Sequence, residues 1–200
     1  MEGMKDIVLF DFDGTLIKAD SFLKFAQKVC GRRRFCVVML MYAPLLVGML
    51  LRLVSRDVAK QRLFAAFFGG MRVEDFRRKG EAFAADLDKW VNRPVLEKAK
   101  EAQRQGRPVY IVTASIEDWV RPWCEQQGFL CIGTRAEVDA GGQLTGAFAG
   151  RNCRGEEKVL RVVSEILPHP RTSYHIVAYG DSEGDRELLE WADEGHLVKD

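Results

Sequence analysis

Two aspartates one residue apart, in Asp11-Phe12-Asp13-Gly14-Thr15, follow a short apolar run at residues 7–10. The pattern reads as a buried strand emptying into a turn. One carboxylate there could attack a phosphorus atom while its neighbour donates a proton to the departing alkoxide. An anion approaching a phosphate is repelled, so such a site needs positive charge and a metal close by. The same residue types also serve turns and calcium loops. A calcium loop is disfavoured, because Leu16 and Ile17 stand where further oxygen ligands would have to follow.

A second acidic cluster, Gly180-Asp181-Ser182-Glu183-Gly184-Asp185, follows the apolar run at residues 174–179. Asp11, Asp13, Asp181 and Asp185 together make a hard oxygen set suited to Mg2+. Asp181 is expected as a direct ligand, and Asp185 as the holder of a metal-bound water or a neighbouring side chain. An Asp cap on a helix is the competing reading. Lys158 is a candidate fixed cation for phosphate and nucleophile. Thr113, Ala114 and Ser115 end a third apolar run, 109–112, where hydroxyls and the NH groups of an opening helix could bind phosphate oxygens.

Three apolar strands that each deliver polar residues at their carboxyl ends imply a parallel α/β sheet with its ligands along that edge. Helices are expected at 94–105, 116–127 and 155–167, each closed by Gly or Pro, and a β-hairpin at 138–148. Roughly ninety residues without a convincing strand separate the first two runs, far more than a crossover needs. They are expected to form a helical cap. Its clearest helix carries Val73, Phe76, Phe83, Ala84, Leu87, Trp90 and Val91 as one apolar stripe, read as core packing. The expected division is a core of residues 1–17 and 93–200 and a cap of residues 18–92.

The chain has 200 residues and a formal net charge of +1, with 30% charged residues. That length allows one main domain with an insertion. The charge implies no nucleic-acid partner. Five scattered cysteines lack zinc or dithiol spacing and fit a reducing compartment. Asp11 interrupts the first apolar run before a signal segment could form, which places the catalytic part in the cytoplasm.

Residues 35–51 carry no charge, a stretch borderline for the roughly twenty residues of a membrane span. Arg32, Arg33 and Arg34 precede it and Arg52 follows; Pro44 and Gly48 break its middle. The expectation is either a bent, re-entrant or interfacial hairpin facing anionic head groups at the inner face of a membrane, or a buried cap helix pair or dimer interface in a soluble protein.

Taken in order, Asp11 to Leu16, Ile111-Val112-Thr113, Lys158 and Gly180 to Asp185 resemble the four motifs of haloacid dehalogenase superfamily phosphatases. The cap and the stretch Asn152 to Lys158 are similar to the subfamily of phosphoserine phosphatases and bacterial phosphatidylglycerophosphatases. The resemblance implies a Rossmann-like core, Asp11 as nucleophile and metal ligand, and Asp13 as general acid and base. It also implies Thr113 and Lys158 as phosphate binders, and Asp181 with Asp185 at the metal. This chain departs from phosphoserine phosphatases in having Thr113-Ala114-Ser115 for Ser-Gly-Gly and Asp20 for a glutamate. Asp20 is the cap-side candidate for meeting an ammonium group. The expected function is Mg2+-dependent hydrolysis of a small-molecule or lipid phosphate ester through an aspartyl phosphate, with peripheral membrane contact through the cap. A phosphoserine phosphatase is the alternative. A non-catalytic membrane-associated protein is the third reading, disfavoured because such a descendant has no physical need for Asp13.

Overall fold

The computed structural model describes residues 4–199; the outermost expected core residues, 1–3 and 200, lie outside them. Five parallel strands form one sheet in the order β3-β2-β1-β6-β7. They are β1 (Lys5–Phe10), β2 (Val109–Ile116), β3 (Leu130–Thr134), β6 (Tyr174–Gly180) and β7 (Glu194–Leu197). In β1 the side chains alternate between two cores, as strand geometry requires. Val8 and Phe10 join one core, while Ile7 and Leu9 join the other with Val112, Ile176 and Ala178. Phe10 pairs in register with Ile111 on one side and Tyr179 on the other. The carboxyl ends of the three expected strands therefore lie side by side.

The insertion after β1 holds four helices: α1 (Ser21–Met41), α2 (Ala43–Leu50), α3 (Arg56–Phe68) and α4 (Val73–Leu87). Phe25, Phe68 and Phe76 pack with Trp119 of α6 (Glu117–Gln126), Phe25 stacking on it at 4.7 Å, and Phe83 packs on Phe25. Each such side chain buried stabilises by roughly 1.5–3 kcal/mol, which fastens cap to core. In α4 the residues Val73, Phe76, Phe83, Ala84 and Leu87 are buried, as the stripe predicts. The helix stops at Leu87, and Trp90 belongs to a following 3-10 turn, Asp88–Trp90. At Gly80 a Cβ would lie 2.1 Å from the Asp118 carbonyl, so glycine lets α4 approach α6 this closely.

The core helices are α5 (Arg93–Arg104), α6, α7 (Glu156–Arg161) and α8 (Arg186–Trp191). The helix expected at 155–167 is shorter: after α7 the backbone widens into a π-helical turn, Val162–Ile166. The hairpin is β4 (Ala136–Val138) and β5 (Leu144–Phe148), turned by Asp139, whose carboxylate accepts from the NH groups of Gly141 and Gln143. It also reaches the cap, since Leu144 NH donates to Met71 O at 2.8 Å.

The apolar stretch is not a buried helix pair. Helix α1 breaks at Gly31, whose φ is 73°, and α1 and α2 meet at a bend of 58°. No residue of α2 is buried, and Leu40, Leu50 and Leu53 are 76–78% exposed. Among the described residues no single helix is long and apolar enough to cross a membrane; the bent pair α1 and α2 passes that test only together.

Candidate active site

Asp11 follows β1 directly and its NH donates to Tyr179 O at 2.8 Å, so the sheet itself aims the side chain. Lys158, only 1% exposed, sets Nζ 2.5 Å from Asp11 Oδ1 and 2.5 Å from Asp185 Oδ1. The second Asp185 oxygen accepts from Ser182 N at 3.1 Å and Ser182 Oγ at 2.9 Å. Both oxygens of Asp185 are thereby engaged, and its contact is with a neighbouring side chain. Burial would raise the Asp185 pKa, but Lys158 and Ser182 hold it below the usual carboxylate range.

Asp11, Asp181 and Asp185 bring three ligand oxygens within 4.8 Å of one another. Such an all-carboxylate set suits a hard dication. Burial, with the negative charges of Asp185 and Asp13, pushes the Asp11 pKa up to about 7 against the pull of Lys158. The cluster thus carries more negative charge than one lysine balances. Thr15 Oγ1 donates to Asp181 Oδ1 at 3.1 Å. Gly14, with φ of 84°, makes this convergence possible: a Cβ there would stand 2.3 Å from Asp181 Oδ2.

Asp13 stands outside that group. Its carboxylate turns to Ser21 N at 2.8 Å and Ser21 Oγ at 3.1 Å, and accepts a short bond from Ser115 Oγ. The Asp13 carboxylate therefore faces Ser21 and Ser115, away from the Asp11, Asp181 and Asp185 oxygens. Burial and then the charge of Asp20 raise its pKa to about 6, against the hydrogen bonds from Ser115 and Ser21. A carboxyl that titrates near neutrality can serve as both acid and base.

Strand β2 runs through Thr113, Ala114 and Ser115 to Ile116, and α6 opens directly after it at Glu117. The register shift between Thr113 and Ile116 lifts them toward the site. The Thr113 hydroxyl accepts from Ser115 N at 3.0 Å. Ser115 spends its hydroxyl on Asp13 and Ser21, so it positions Asp13 and is not open to a phosphate. Asp20 caps α1, accepting from Leu23 N at 3.0 Å.

Sequence reasoning missed Ser21, which orients Asp13 and accepts from Trp119 Nε1 at 3.0 Å. It also missed Lys60 and Asn152. Ser21 stands directly after Asp20, the cap-side candidate for meeting an ammonium group. A cavity of about 620 Å³ opens from Asp11, Asp13 and Lys158 toward the cap, with Leu46, Met49 and Leu50 of α2 on its far wall.

The family model for haloacid dehalogenase-like hydrolases matches residues 8–190. The protein CicA of Caulobacter vibrioides is 34% identical over 190 residues, covering 94% of this chain and 83% of CicA. A protein of unknown function from Bordetella pertussis has a similar structure, with a TM-score of 0.73 and 23% identity, covering 94% of this chain and 86% of that one. A substrate-bound phosphoserine phosphatase is similar at a TM-score of 0.64 and 17% identity, covering 96% of this chain and 84% of that one.

Proposed function

The chain belongs to the haloacid dehalogenase-like hydrolase family, and on that premise we propose that it is a Mg2+-dependent phosphomonoesterase acting on a lipid phosphate. The observation that carries the chemistry is Asp11 held by Lys158 beside Asp13, two carboxyl groups in different surroundings. Asp11 attacks phosphorus, the bond to the leaving oxygen breaks, and Asp13 protonates that oxygen. Asp13, now ionised, takes a proton from water as the water attacks the aspartyl phosphate. The bond to Asp11 breaks and inorganic phosphate leaves. Thr113, the Ala114 NH and Lys158 bind the phosphoryl oxygens. Asp11 and Asp181 would hold Mg2+, with Asp185 acting through Lys158. Bound Mg2+ supplies the positive charge that keeps Asp11 ionised and offsets its repulsion from the phosphate.

The lipid part rests on the apolar far wall of the cavity, which continues into the exposed α1–α2 bend. Patches of this kind mark interaction surfaces. Exposed Arg32, Arg33, Arg34 and Arg52 flank it with charge suited to anionic head groups. This reading makes the protein a cytoplasmic enzyme seated peripherally on the inner membrane face. The test is phosphate release from p-nitrophenyl phosphate, phosphoserine and phosphatidylglycerophosphate vesicles, with Mg2+ or chelator. Mg2+-dependent turnover with preference for the lipid is expected. Preference for phosphoserine without vesicle binding would replace the lipid reading.

Mg2+ binding is expected to strengthen as pH rises from 6 to 8, by up to about tenfold per unit below pH 7. The sign follows from Asp11: its pKa of about 7 leaves it largely protonated at pH 6, and the ion must displace that proton. Below pH 7 close to one proton per ion should be released. Calorimetry in buffers of different ionisation enthalpy measures this, and pH-independent binding without proton release would contradict it. The same raised pKa favours the metal-free fold at low pH and removes that contribution as pH climbs through 7.

A further inference from the structure

We propose that Lys60 determines specificity, its cap-borne ammonium pairing with a second anionic group on the leaving alcohol of the substrate and turning away alcohols that carry an ammonium. The inference rests on the phosphomonoesterase reading and concerns which ester that site accepts. Lys60 lies in α3, yet its Nζ reaches the core, donating to Ala114 O at 2.5 Å and Asn152 Oδ1 at 3.0 Å. Both acceptors are neutral. Among the described residues no carboxylate forms an ion pair with it within 4.0 Å. An ammonium has three donors, and two are taken. The third has only the face of the Phe148 ring, 5.8 Å from Nζ to its centroid, and the cavity that Lys60 lines together with Asp11 and Lys158.

The surroundings hold this cation rigidly without neutralising it. Asn152 is oriented by two further bonds, accepting from Thr134 Oγ1 at 2.9 Å and donating to Asp57 Oδ1 at 2.6 Å. Asp57 gives one oxygen to Asn152, and Asp20 gives one oxygen to the amino end of α1. Burial lowers the Lys60 pKa to about 8 despite the charges of Asp13, Asp20 and Asp57, so a further anion would be gained by the site. Arg56 and Arg154 line the same cavity, and Asp20 and Asp57 line it too. An incoming ammonium at this point would face the Lys60 ammonium and find Ala114 O already used by it. Because that carbonyl belongs to the residue after Thr113, the second anion would sit beside the phosphoryl group on its leaving side.

The test is the Mg2+-dependent hydrolysis of 3-phosphoglycerate, phosphoserine and glycerol 3-phosphate by the full chain, by K60M and by K60R. The first two differ in bearing a hydroxyl or an ammonium, and the third lacks the second anion. For the unaltered protein kcat/KM is expected to be at least about tenfold higher for 3-phosphoglycerate than for either other ester, the size of one charged hydrogen bond. K60M should lower the ratio of 3-phosphoglycerate to glycerol 3-phosphate by about tenfold, chiefly through KM, and K60R should restore much of it. A loosened cap would slow all three esters alike and leave that ratio unchanged. Equal kcat/KM for 3-phosphoglycerate and phosphoserine in the unaltered protein overturns the inference even if no variant folds. An unchanged ratio in an active K60M overturns it too, and both results leave the phosphatase standing. No Mg2+-dependent phosphate release from any ester by the unaltered protein would instead sink the phosphatase reading itself.

Discussion

Replacing Asp11 by asparagine is expected to lower kcat by roughly three to six orders of magnitude while the protein remains folded. The amide keeps the size and one acceptor oxygen of the carboxylate, so Lys158 Nζ retains a partner there as well as Asp185 Oδ1 at 2.5 Å. It lacks the anionic oxygen that must bond to phosphorus, and no second carboxylate stands in the same place. Asp13 is turned onto Ser21 and Ser115, and Asp181 is tied to Thr15. The substitution also removes a negative charge that burial and Asp185 disfavour. Thermal stability without metal should therefore change by no more than about 1 kcal/mol. Phosphate release and a melting curve measure the two effects. Turnover within tenfold of the unaltered protein would exclude Asp11 as nucleophile, whereas an inactive protein with a collapsed melting transition would leave its role undecided between fold and chemistry. Trapping labelled phosphate on the unaltered chain and not on the variant separates those cases.

How much of this site could be read in advance depended on whether a residue works with chain neighbours or with distant ones. Asp11 and Asp181 each follow an apolar strand and Thr113 closes the apolar run of another, and parallel pairing brings such positions together whatever lies between them. Strand β7 gave no comparable signal, because its residues are exposed along the sheet edge and include Glu194 and His196. Strand β3 is only five residues long and includes Gly133, and it delivers no candidate group. The π-helical turn after α7 keeps Val162 and Ile166 buried, so its apolar spacing still resembles an ordinary helix. Lys60 is the clearest case of a residue hidden from sequence reasoning. It sits among Arg56, Asp57 and Arg62 and looks like a solvated helix face. Its partners Ala114 and Asn152 are 54 and 92 residues away, and only the docking of the cap brings them together. The exposed α1–α2 bend shows the same limit from the other side. When every face of a segment is apolar, periodicity cannot tell burial from exposure.

Lys158→Met is expected to cost about 3–5 kcal/mol of stability at pH 8 without metal, the largest loss of any single substitution at the site. Burial pulls the Lys158 pKa down, but attraction to Asp11 and Asp185 more than offsets this and keeps the ammonium charged. Removing it leaves two buried carboxylates facing each other, with Asp11 already displaced toward neutrality. Both folded pKa values would rise without the ammonium, that of Asp11 from about 7 and that of Asp185 from below the usual carboxylate range, so stability should be retained at low pH and lost as pH rises. The deficit should accordingly shrink between pH 8 and pH 5. Mg2+ at the same carboxylates should restore part of it, because a dication replaces the missing charge. Activity should not return with stability: the phosphoryl group would still lack a fixed donor, at a cost of about 10²–10³ in kcat. Lys158→Arg is no conservative rescue, since a planar guanidinium must replace a compact ammonium in a space only 1% exposed. Melting curves at pH 5 and 8, each with Mg2+ and with chelator, decide the matter. A variant that melts with the unaltered protein at pH 8 in chelator would show that the paired carboxylates do not depend on this lysine.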